Sequence, residues 1–123
     1  WMAQGQMHRQ LEHWRAQLEG LPTVQLPTDF PRPAQLTLTG AEVSLEIPTG
    51  LAGRLRRLAR ARGSTLFGVL LGIFATTLGR HGNSSDVAVA SVVANRGAPE
   101  LEPLIGYFVN TLIFRARLAG SFG

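Results

Sequence analysis

Met7, Leu11, Trp14 and Leu18 recur at i, i+4, i+7 and i+11, which gathers them into one stripe on a helix. The spacing predicts an amphipathic helix over residues 1–19, ended by Gly20 in a left-handed conformation and closed off by Pro22. No capping signal precedes Trp1, so the chain reads as a piece of something longer. Residues 21–34 then carry four prolines, which fix φ and remove backbone donors. They predict an extended strap crossing a surface. From Gly40 to Ile47 the period changes to two. Val43, Leu45 and Ile47 share one face and Glu42, Ser44 and Glu46 the other, as in a strand with one dry and one wet side. Helical spacing returns over 49–62, with Leu51, Leu55 and Leu58 inward, Thr49 as N-cap and Gly63 just past the end.

Over 65–79 the apolar residues run all round the helix, from Leu66 and Phe67 through Ile73 and Phe74 to Leu78. A helix of that kind is expected to be buried on every side. Ser64 or Thr65 supplies its N-cap. Gly68 and Gly72 each cost about 1 kcal/mol of helix propensity, which predicts close backbone approach to another element. Asp86–Ala94 is apolar on both faces, the pattern of a central strand covered above and below. It leads into the polar loop Asn95-Arg96-Gly97, at the strand end where α/β sheets place ligands and salt bridges. Between Pro99 and Leu104 there is room for one helical turn, because Pro103 blocks extension. From Val109 the chain alternates once more. Asn110, Leu112, Phe114, Ala116 and Leu118 form one face; Val109, Thr111, Ile113, Arg115 and Arg117 form the other. The order of elements predicts an α/β fold with a mixed sheet.

Asn110 is the awkward residue, because it leads an otherwise apolar face. A buried amide left unpaired costs roughly 1–3 kcal/mol. Either it ties down the turn before the strand or it belongs to a site.

Composition narrows the field. The 123 residues suffice for one small domain with a core. There is no cysteine, so disulfide and thiolate-metal chemistry are excluded, which fits a cytoplasmic protein. No signal peptide is read, and the apolar run from Leu66 to Leu78 is too short to span a bilayer, so the chain reads as soluble. All twelve basic residues are arginine, the net charge is +4 and the pI about 11.3. A basic balance raises nucleic acid as a partner. Five of those arginines, however, fall between Arg54 and Arg62 with no aromatic among them to stack on bases, as on a solvated helix face.

Chemistry is sparse. His8 and His13 are five residues apart and His81 stands alone, so no metal site is read. No phosphate-binding glycine loop with its lysine and no Gly-x-Ser-x-Gly elbow is present. Asp29 and Asp86 have local work, at the strap turn and at the start of a strand.

Several segments together carry a resemblance. They are Trp1, Leu11-Glu-His-Trp-Arg-Ala-Gln-Leu-Glu-Gly-Leu-Pro22, Leu26-Pro-Thr-Asp-Phe-Pro-Arg-Pro33, Gly63-Ser-Thr-Leu-Phe67, Val93-Ala-Asn-Arg96 and Ile105-Gly-Tyr-Phe-Val-Asn-Thr-Leu112. In this order and spacing the chain resembles the condensation domain of nonribosomal peptide synthetases over essentially its whole length. The resemblance implies a two-lobed fold like chloramphenicol acetyltransferase, with a tunnel between the lobes. Residues 1–20 would end the first lobe, 21–39 would be the strap, and 40–123 would begin the second lobe. Two carrier proteins would present phosphopantetheine arms, and no cofactor would bind directly. The adjacent adenylation domain is a further implied partner; nucleic acid and membrane are not. The family's His-His-x-x-x-Asp-Gly motif has no counterpart here, so no catalytic residue is assigned to this chain and the piece alone is expected to be inactive and marginally soluble. Asn110 and Thr111 match a motif near the tunnel and imply positioning roles. Arg96, beside Asn95, is implied as partner to the missing motif's Asp; a salt bridge with Glu100 or Glu102 accounts for it equally. The Val-Asn-Thr sequence favours amide formation over epimerisation. A non-catalytic lobe that only docks carrier proteins is the other alternative.

Overall fold

The computed structural model describes residues 4–31, 33–35, 40–94 and 99–120. Among these, three helices, a short 3-10 turn and two strands follow in the order α1 (Gln4–Leu18), α2 (Thr49–Ala61), α3 (Leu66–His81), β1 (Asp86–Val93), the turn Pro99–Leu101, and β2 (Asn110–Arg117).

The helices begin and end largely where local chemistry dictates. Gly20 takes φ +64° after α1, the left-handed conformation that glycine adopts without penalty. Behind α2, the Ser64 N–H donates to the Ala59 carbonyl at 2.8 Å and the Gly63 N–H to the Arg60 carbonyl at 3.1 Å, with Gly63 at φ +58°. This is a Schellman ending. At the other end of α2 the expectation fails. Pro48 is the N-cap, without a side-chain bond, and Thr49 is already helical. Thr65 caps α3, its Oγ1 accepting the Gly68 N–H at 3.1 Å. The strap has no regular structure over 21–28, and its Val24 sits over Gly82 at the end of α3.

The close backbone approach falls elsewhere than at the glycine pair read from the sequence. A Cβ on Gly72 would meet nothing within 4 Å, and one on Gly68 would meet its own capping turn, Ser64 Oγ at 2.7 Å. At buried Gly79, by contrast, a Cβ would lie 2.6 Å from Leu118 Cδ1 and 2.6 Å from the Ser84 carbonyl oxygen. There the last turns of α3 pack against the start of the sheet. The same junction holds the small core: Ala59 of α2, Ala75 of α3 and Val87 of β1 are the buried apolar side chains among the described residues. Phe67 and Phe114 meet edge to face at 5.7 Å, joining α3 to β2.

Four expectations about burial and pairing are corrected. The sheet has two strands, antiparallel, in register from Asp86 opposite Arg117 to Val93 opposite Asn110; no parallel neighbour accompanies them among the described residues. The mixed sheet is therefore an antiparallel pair. β1 is not central, and Val92 is 64% exposed. Residues 40–47 form no strand, with Val43 92% and Leu45 87% exposed. A strand exists through hydrogen bonds to a neighbour, and no described strand lies beside this one. Finally, α3 is not enclosed. Phe67, Ile73 and Phe74 are each about half exposed, because the described chain covers only the face bearing Ala75 and Gly79.

Candidate functional site

Asn110 opens β2 and turns its side chain onto the local backbone, Oδ1 accepting the Thr111 N–H at 2.9 Å. The bond points forward into the strand and not back to the turn before it. Both residues are exposed. They also rim a cavity of about 250 Å³ between α1 and β2, with Trp14, Leu18, Leu112 and Ile113. A second hollow of about 390 Å³ shares those last four residues and extends to His13, Gln17 and Arg115. Asn95 and Arg96, the other expected site residues, lie outside the described residues.

The strongest polar cluster was not legible as such in the sequence. Arg115 Nε donates to Asp86 Oδ1 at 2.8 Å and Oδ2 at 3.1 Å, and Nη2 donates to Oδ2 at 2.5 Å. Its Nη1 donates to the carbonyls of Gln17 at 2.6 Å and Glu19 at 2.9 Å. Only 9% of the Arg115 side chain is exposed. In the register Arg115 stands opposite Ala88 and Asp86 opposite Arg117, so the ion pair is a diagonal contact on one face of the sheet. Ser84 fixes the acid's backbone, its hydroxyl donating to the Asp86 carbonyl at 2.9 Å and accepting the Asp86 N–H at 3.3 Å. The Arg115 hydrogen bonds hold the Asp86 carboxyl below the usual carboxylate range, against partial desolvation, with Arg117 adding a smaller pull in the same direction. Reciprocally, Asp86 raises the Arg115 guanidinium above its ordinary value. One signal was available: an arginine facing away from the apolar side of β2, and an acid heading the neighbouring strand. Only the register joins them.

The histidines stay apart. His8 lies 3.1 Å from Glu12 on the exposed side of α1, and His13 meets the Trp14 ring edge-on at 5.6 Å. Among the described residues no group of three or more His, Cys, Asp or Glu side chains is placed to hold a metal. A further hollow, of about 740 Å³ along α2 and α3, is an open helix face. Two of its hydroxyls are engaged locally, Thr76 and Thr77 donating to the carbonyls of Gly72 and Ile73. No single described helix is long and apolar enough to cross a membrane.

A helical layer packs on the sheet pair, with a cleft between α1 and β2. The sequence profile of the condensation-domain family matches residues 1–122. The chain belongs to the condensation-domain family. It is 40% identical over 121 residues to a linear gramicidin synthase polypeptide of Brevibacillus parabrevis, a match that covers 98% of this chain and 2% of that protein. Against malpibaldin synthetase of Mortierella alpina it is 37% identical over 122 residues, again 98% and 2%. Phosphinothricin tripeptide synthetase PhsC of Streptomyces viridochromogenes is 43% identical over 116 residues, 92% of this chain and 11% of that protein. The chain thus spans about one-fiftieth of the length of the first two relatives.

Proposed function

We propose that the chain is the middle of an amide-forming condensation domain in a nonribosomal peptide synthetase. Residues 1–20 would close the first lobe of a chloramphenicol-acetyltransferase-like fold, 21–39 would strap across, and 40–123 would begin the second lobe. In the reaction, the amine of an acceptor aminoacyl thioester attacks the carbonyl of a donor thioester. The new C–N bond replaces the C–S bond, the phosphopantetheine thiol leaves, and the amine gives up a proton. The second histidine of the His-His-x-x-x-Asp-Gly motif, outside this sequence, orients or deprotonates that amine. The chain itself has three histidines and no adjacent pair. Its own contribution is the wall of the cleft, with Asn110 and Thr111 at the rim. Arg96 and Asn95 are assigned to the same tunnel.

The family match over residues 1–122 is the observation that carries this reading. Upstream and downstream carrier proteins and an adenylation domain are the partners it implies. The test is amide formation by the parent polypeptide from carrier-bound donor and acceptor. His8→Ala, His13→Ala and His81→Ala variants are expected to keep wild-type rates, whereas altering the upstream His pair abolishes product. Loss of activity in any of the three single variants, with the fold intact, would overturn the assignment of catalysis to residues outside this chain.

A further inference from the structure

Arg115 makes five hydrogen-bond contacts from the described strand pair, and they reach in two directions. One is the Asp86 carboxylate on the adjoining strand. The other is the carbonyl pair of Gln17 and Glu19, at the C-terminal end of α1. The last carbonyls of a helix have no partner within it and collect partial negative charge, so a cation is favoured there. These contacts cross 98 and 96 residues of sequence. They also fall where they matter most, because α1 packs more thinly on the rest of the fold than α2 does on α3 or α3 on β1.

We infer that Arg115 is a positioning residue: with Asp86 it staples the end of α1 to the β1–β2 pair, and so sets the width of the cleft rimmed by Asn110 and Thr111. Trp14 and Leu18 form one wall of that cleft and Leu112 and Ile113 the other. Releasing the staple lets the first wall swing away from the second. The role requires arginine. Its planar fork directs separate N–H groups at the carboxylate and at the carbonyls together, whereas a lysine ammonium offers its donors from a single point.

The link from cleft width to catalysis rests on the function proposed above; the staple itself does not. The experiment uses the parent polypeptide, spin-labelled at Arg9→Cys on the exposed side of α1 and at Ala90→Cys on exposed β1; this chain contributes no cysteine of its own. The wild type is expected to give one narrow distance distribution. Arg115→Lys and Arg115→Ala are expected to broaden and lengthen it. In unlabelled enzyme the same variants should lower kcat/KM for the acceptor on the order of tenfold to a hundredfold, the scale expected of an ångström-sized misplacement. Arg115→Lys keeps the charge and is the variant to rely on if Arg115→Ala does not fold. Distance distributions that superpose on the wild type overturn the staple. A lengthened distance with unchanged acceptor kinetics overturns its positioning role. A wild-type parent that forms no amide sinks the proposed function instead, and the label distances still decide the staple.

Discussion

Arg115 bonds both carboxylate oxygens of Asp86 and so favours its charged form in the folded protein. Its folded value lies below the ordinary 3.8. A carboxyl depressed by folding contributes stability that is fully present above the unfolded value and disappears as pH falls through the folded one. The contribution of this pair should therefore be level from neutral pH to about 5 and decline below about 4. Asp86→Asn should remove that part of the acid limb in a series of urea midpoints against pH. A variant whose acid limb matches the wild type would contradict the ion pair. Thr65 offers a cleaner local test. Replacing it by Ala deletes the bond from Gly68 N–H and should cost about 1 kcal/mol in urea unfolding of the intact domain, while Thr65→Ser retains most of it.

Among the elements, α3 shows how one residue type serves opposite ends. Gly72 faces open space, so Gly72→Ala should gain roughly 0.5–1 kcal/mol of helix propensity in a denaturation midpoint. Gly79 sits where Leu118 and the Ser84 carbonyl press on the helix. There Gly79→Ala must displace backbone and should cost about 1–3 kcal/mol by the same measurement. Equal effects at the two positions would mean that α3 does not pack on the sheet as described. The turn after α3 also depends on Asn83, a non-glycine residue at φ +45° that asparagine tolerates.

On the scale of the whole molecule the dominant fact is uncovered apolar surface. The chain exposes 10813 Å². A compact monomer of its 13.3 kDa would expose about 6,500 Å². Phe74 at 51%, Leu45 at 87% and Ile105 fully exposed belong to that excess. The 123-residue piece alone is expected to bind a hydrophobic dye and to self-associate in sedimentation, as contiguous apolar patches do. A monomer that melts cooperatively and leaves the dye dark would contradict this.

Much of the fold was written locally. The spans and most of the ends of α1, α2 and α3 follow from 3.6-residue periodicity, Gly20, Gly63 and Thr65, because a helix satisfies its hydrogen bonds within a few residues of itself. Gly-x-Phe-Val-Asn-Thr and its companions likewise sufficed to place the chain in its family. Tertiary structure decided everything that needs a distant partner. Residues 40–47 alternate as a strand should and yet form none, since a strand is completed by another segment of chain. Asp86 and Arg115 became a pair only through the antiparallel register, which brings them together across 29 residues. The carbonyls of Gln17 and Glu19 bear no side-chain signature at all, so only the folded path of α1 could bring them to Arg115.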